Sequence, residues 1–241
     1  MMISKRVFAC LVAVVPLAAG FPTLARAGVV LSIEAAGAQT STVPGVTTET
    51  FNSFSTGNYS SLSTNVGTLT SSGEFAIVPA DVFGGAGGAG NYFSVGAQSG
   101  SASLVTLALN GPQSYFGMWW SAADVNNTLQ FYSGSNLLET FTTASVFANI
   151  PGNYFGNPNG GGDSGEPFAY LNFNGSLGTT FTSVVFSNSG STGTGFESDN
   201  WSVNAVPEPS SLVLCGTSAV VVGLGLWRRR RKVATMPAIT A

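Results

Sequence analysis

Any chemistry in this chain has to be built from carboxylates. Eleven Asp and Glu residues are accompanied by eight Lys and Arg and by no histidine. Lys5, Arg6 and Arg26 precede residue 28, and Arg228, Arg229, Arg230, Arg231 and Lys232 follow residue 206, so residues 28–206 contain no cation. Ten of the eleven carboxylates, from Glu34 to Asp199, lie in that stretch with no counter-charge. The densest group is Glu197, Asp199 and Asn200. In a strand, positions 197 and 199 project from one face, roughly 7 Å apart. Calcium suits such a pair, being a hard cation that takes about six to eight oxygens. The competing reading is a solvated polar strand face, or Asp199 accepting backbone amides from a turn. A second acidic segment, 153–167, carries Asn157, Asn159, Asp163 and Glu166 among glycines and prolines, as a metal loop would. No other cofactor is expected.

The same composition excludes whole classes of function. Nucleic-acid binding needs Lys or Arg to neutralise phosphates and release counterions, so no nucleic-acid partner is expected. Serine and cysteine triads need a base such as His or Lys, and zinc sites need His or Cys. Cys10 and Cys215 both lie outside residues 28–206, so that region has no disulfide and must rest on a packed core. A glycosidase could run on two carboxylates, but no pair here has a defensible separation. The expectation is a protein that is not an enzyme.

Trp119, Trp120 and Trp201, with Tyr115 and Tyr132, could form a sugar-stacking platform; the alternative is core packing. Consecutive Trp119 and Trp120 must point to opposite faces of a strand, which buries at least one of them. Gly85, Gly87 and Gly90 satisfy G-x-G-x-x-G, but Asn91–Val95 reads as a strand where a dinucleotide site needs a helix. The segment 84–90 is read as a glycine loop.

The elements that must position these residues read as β. Apolar, β-branched and aromatic runs at 101–109, 128–132, 137–142, 168–174, 181–187 and 196–203 are separated by Gly111-Pro112, Ser133-Gly134-Ser135, Asn174-Gly175 and Ser189-Gly190. No stretch of a dozen residues in this region has helical periodicity. The predicted fold is all-β, a single antiparallel β-sandwich or jelly-roll ectodomain of roughly nine to eleven strands spanning 28–205.

The two ends predict export and anchoring. Lys5 and Arg6, the apolar run Val7 to Ala19 and Ala25-Arg26-Ala27 make residues 1–27 a signal peptide. Leu212 to Trp227 is an apolar stretch of sixteen residues followed by the five cations. At about 1.5 Å per residue it reaches roughly 24 Å, a short transmembrane helix held by a stop-transfer cluster. By the positive-inside rule, Arg228 to Lys232 stay cytoplasmic and 28–205 faces outward. Residues 233–241 form a short cytoplasmic tail.

Val206-Pro207-Glu208-Pro209-Ser210 stands at the junction of ectodomain and helix. Together with the apolar run and the basic cluster, 206–232 resembles the PEP-CTERM sorting signal of exosortase-dependent surface proteins. The resemblance implies that Pro207, Glu208 and Pro209 are recognised by an exosortase-type membrane protease, which removes the anchor during delivery to the surface. Prolines favour an extended, accessible peptide there, although they also suit a plain linker before a permanent helix. Segments 114–121, 124–132 and 195–201 are similar to parts of one group of such proteins, and Phe196-Glu197-Ser198-Asp199-Asn200-Trp201 is similar to the last strand of carbohydrate-binding jelly rolls. The expected function is a non-catalytic exported surface or extracellular-matrix protein of the biofilm kind, first anchored in the inner membrane and then at the cell surface or outside it. The alternative is a lectin-like module for exopolysaccharide, with or without calcium.

Overall fold

The structure, a computed structural model, describes residues 28–205 apart from 149. The signal peptide, the sorting motif, the apolar run and the basic cluster expected from the sequence lie outside the described residues. Among the described residues no helix is long and apolar enough to cross a membrane.

One long strand, β6 (Leu104–Ser121), organises the molecule. In its first half Val105 and Leu107 are buried while Leu104 and Ala108 are exposed, the alternation of a strand with one face in water. From Tyr115 to Ser121 every residue is buried, as in a strand covered on both faces. The halves have different neighbours. The first lies between β4 (Gly67–Pro79) and β10 (Phe181–Asn188), and the second between β9 (Ala169–Gly175) and β11 (Phe196–Ala205).

The change of partner falls at Gly111-Pro112, where the sequence predicts a turn. The strand instead runs through it. Phe181 faces Gln113 and Ser183 faces Ala108, so residues 109–112 bulge out opposite a single residue of β10. Gly111 takes a φ of 109° there, and Pro112, which has no amide to donate, is tolerated because the ladder is interrupted. β4 uses the same device. Tyr59 faces Phe75 and Ser61 faces Thr70 on β3 (Gly57–Ser63), which leaves 71–74 as the bulge. Before it β4 pairs with β6, and after it with β5 (Asn91–Val95).

All pairings are antiparallel across eleven strands, and the path from β4 to β5, β11, β6 and back to β4 closes on itself. β10 continues outward to β7 (Asn127–Ser133) and β8 (Asn136–Thr142); β9 carries β1 (Val29–Ile33), and β11 carries β2 (Thr47–Glu49). The all-β expectation therefore holds. The only α-helix among the described residues, α1 (Thr143–Phe147), is a single capped turn. The Ser133-Gly134-Ser135 turn joins β7 and β8 as predicted, whereas Asn174-Gly175 ends inside β9.

The folded sheet encloses a core dominated by aromatic rings. Trp201 stacks on Phe186 with centroids 4.5 Å apart and planes 4° from parallel, and meets Phe51 edge-on at 4.9 Å. Trp120 stacks on Phe196 at 4.6 Å.

Candidate functional site

The polar end of the molecule is built on the outer face of β5, β11 and β6. Glu197 faces Ser94 on one neighbour and Ser121 on the other, and Asp199 faces Trp119, so these side chains share a face by strand alternation. Phe93, Phe196 and Trp120 occupy the opposite face, in the main core. The outer face is covered by the glycine loop 84–90 and the loop 153–167.

That covering corrects the expectation of a solvated strand face. Glu197, Asp199 and Asn200 are 1 %, 2 % and 8 % exposed. The tryptophans are buried too: Trp120 and Trp201 lie in the main core, and Trp119 packs with Ala122, Phe168 and Tyr170 beneath the loops. Trp119 and Trp120 do point to opposite faces. A stacking platform needs an open ring face, and Trp119, Trp120 and Trp201 present none; each face of β6 at this level is roofed by other residues.

Nor do Glu197 and Asp199 act as a pair. Asp199 organises the glycine loop, accepting the amide of Ala86 at 2.8 Å and that of Asn200 at 2.6 Å. Burial pushes its pKa up to about 7 against the pull of those two amides. Asn200 adopts φ 49° at a bulge between Asp199 and Ser202, which turns Trp201 into the core. Its side-chain amide donates to the Gln39 carbonyl at 2.8 Å, and its carbonyl accepts the Tyr170 hydroxyl at 3.0 Å. Gln39 in turn donates to Asn159 at 2.9 Å and accepts the amide of Gly87. Asn157 donates to the carbonyls of Asp81 and Val82 at 3.2 and 3.0 Å. Asn157, Asn159, Asp199 and Asn200 therefore hold loops together.

The remaining acidic residues converge elsewhere. Asp124, in the turn after β6, accepts the Gly195 amide at 2.7 Å. Glu166, in the loop before β9, is near enough to the Asp124 and Asp163 carboxyls to feel both charges. Asp124, Glu166 and Glu197 line one small cavity of about 30 Å³ with Gln98, Phe83, Ala122 and Gly193. Gln98 donates to Glu197 Oε1, and Ser94 donates to the same oxygen at 3.4 Å. Glu197 Oε2 has no hydrogen-bond partner, nor has Asp163 Oδ2.

Like charges in a partly dry site resist ionisation. Burial first, then the charges of Asp124 and Glu166, push the Glu197 carboxyl well up. Glu166 rises to about 7 through burial and the charges of Asp124 and Asp163. Asp124 is raised chiefly by burial. Among the described residues, no group of three Asp, Glu, His or Cys side chains is gathered closely enough to hold a metal as it stands.

Sequence reasoning missed the role of Asp124, which stands alone in the chain. Its signal was positional, a carboxylate just after the aromatic segment 114–121, and in the structure the chain turns there with a left-handed φ of 44° at Ala122. Beside the acidic cavity opens a mostly apolar hollow of about 440 Å³, where Ala123, Val125, Phe147, Phe155 and Pro167 meet Asp124 and Glu166. Val125 and Phe155 are exposed, at 81 % and 42 %.

Comparison with protein-family models, curated proteins and solved structures finds no match.

Proposed function

We propose that the chain is a non-catalytic exported surface or extracellular-matrix protein, delivered through a PEP-CTERM-type sorting signal and processed by an exosortase-type membrane protease. The observation that carries this reading is the order at the C-terminus: Pro207-Glu208-Pro209, then an apolar run from Leu212 to Trp227, then Arg228 to Lys232. Strand β11 ends at Ala205, so a single residue, Val206, lies between it and that motif. In this reading the folded sheet is a β-sandwich or jelly roll standing outside the inner membrane. The cation-free composition of 28–206 suits a coating or matrix role that needs no enzymatic machinery.

The test is intact mass and cell fractionation of the tagged full-length protein, in cells with and without the candidate protease. Loss of the chain beyond the Pro207 region only when the protease is present supports the proposal. Persistence of the full tail in both strains overturns it and leaves a single-pass membrane protein.

The second reading, an exopolysaccharide-binding module, is supported by the hollow beside Asp124 and Glu166. Exposed Phe155 offers an apolar face of the kind that sugar rings pack on, and the carboxylates are acceptors for hydroxyls. It shifts the ligand contact away from Trp119, Trp120 and Trp201. Retention on polysaccharide affinity gels that is lost in Phe155→Ala supports this reading; equal mobility in gels with and without polysaccharide overturns it.

A further inference from the structure

We propose that the cavity between β6, β11 and the 153–167 loop is a calcium site, with Asp124, Glu166 and Glu197 as its charged ligands and Asp163 as a supporting carboxylate. The inference is independent of sorting, and it shares Asp124 and Glu166 with the hollow of the second reading.

The first ground is the isolation of the Glu197 carboxylate. It is 1 % exposed, one of its oxygens has no hydrogen-bond partner, and residues 28–206 contain no Lys, Arg or His to neutralise it. An unpaired buried carboxylate is strongly unfavourable, and only a proton or an imported cation can relieve it here.

The second ground is the space at that oxygen's side chain. The cavity of about 30 Å³ is lined by Glu197, Asp124 and Glu166 and also by the amide side chain of Gln98. One water needs about 10–15 Å³ of such space, so there is room for one ion of similar size.

The third ground is the chemistry of the donors. All the charged groups are oxygens, there is no nitrogen base or thiolate, Ser94 and Ser121 face Glu197 on the same sheet face, and the Gln98 side chain lines the cavity. Ser121 Oγ is buried without a partner as well. Hard oxygen donors, carboxylate and neutral together, select calcium over zinc or copper. Calcium's flexible coordination at about 2.3–2.6 Å tolerates ligands drawn from three separate segments better than the strict octahedron of magnesium.

The site also has its own glycine. A Cβ on Gly195 would lie 2.3 Å from Glu197 Oε1 and 2.6 Å from Gln98 Nε2, so a side chain there would force both groups to shift beside the amide that binds Asp124.

The test uses the full-length protein in detergent after exhaustive chelation. Calcium is titrated by calorimetry and, separately, terbium by tryptophan-sensitised luminescence. The expected result is one equivalent bound, magnesium binding at least tenfold more weakly, and a melting temperature at pH 7.5 that rises with calcium. Glu166→Gln and Glu197→Gln should each weaken calcium at least tenfold, while Glu139→Gln, on exposed β8, should not. Should Glu197→Gln fail to fold, the partly buried Glu166 decides. The proposal is overturned if the wild type binds no calcium up to millimolar concentrations, in which case a shared proton occupies the cluster. It is equally overturned if binding survives both Glu166→Gln and Glu197→Gln, because the ion would then sit elsewhere.

Discussion

The Asp199 carboxylate accepts the Ala86 amide at 2.8 Å across 113 residues of sequence, tying the glycine loop to the last strand. Its other oxygen holds the Asn200 amide at 2.6 Å, at the bulge that aims Trp201 into the core. One buried side chain thus fixes both a loop and a strand irregularity. Asp199→Ala should destabilise the protein by about 2–6 kcal/mol, since one buried and one partly buried amide lose their acceptor at about 1–3 kcal/mol each. Chemical denaturation and limited proteolysis within 84–90 measure it; unchanged stability would show that water replaces the carboxylate.

Stability should fall as pH rises from about 4 to 7 in the presence of a chelator. Glu197, Glu166 and Asp199 all have raised pKa values, the last two to about 7, so the folded state holds protons that the unfolded state has released. Such groups stabilise the fold fully below their unfolded pKa and lose that contribution as pH passes through the folded one. Asp199, moving from an ordinary 3.8 to about 7, accounts for a loss on the order of 4 kcal/mol at about 1.4 kcal/mol per unit. Melting curves at pH 5 and pH 7.5 test the sign, and a higher melting temperature at pH 7.5 would refute it.

Trp201→Ala removes the ring stacked 4.5 Å from Phe186 and edge-on to Phe51. The expected cost is about 3–5 kcal/mol, typical of a large aromatic deleted from a closed core. Trp201→Phe should lose much less. Urea midpoints of the two variants provide the comparison, and similar losses would mean that ring size is unimportant there.

Gly195→Ala should destabilise by about 1–3 kcal/mol, because the new methyl collides with Glu197 and Gln98. The same change in Gly193, whose added Cβ would meet nothing, tests backbone strain alone, its φ being 90°. If the first variant is no worse than the second, the close approach at Gly195 is dispensable.

The second half of the β pattern was legible because its apolar alternation is interrupted by turn residues: β7, β8, β10 and β11 follow the runs at 128–132, 137–142, 181–187 and 196–203 closely. Strand β4 was hidden by Ser71-Ser72-Gly73-Glu74, which has the composition of a turn yet forms a bulge within a thirteen-residue strand. Gly111-Pro112 misled in the same way. Turn residues mark a departure from regular pairing, but only the tertiary pairing decides whether the chain reverses or bends. At the site, Glu197, Asp163 and Glu166 were visible as acidic residues, while their meeting with Asp124 depends on the fold of two loops and has no trace in spacing. Loop cover also decided the tryptophans, whose alternation was readable and whose burial on the second face was not.

The pairing of distant ends has a consequence for how the chain is made. Gly28 donates to Ser176 at 3.1 Å, 148 residues on, and Thr48 meets Ser202 at 2.8 Å, 154 residues on. Synthesis proceeds from the N-terminus, so β1 and β2 remain unsatisfied edges until β9 and β11 have emerged. A product truncated before β11 would lack Trp201 and leave Phe51, Phe93 and Phe186 without their common partner. The final strand thereby acts as a completeness check: partial chains stay open to proteolysis, and only the finished domain closes.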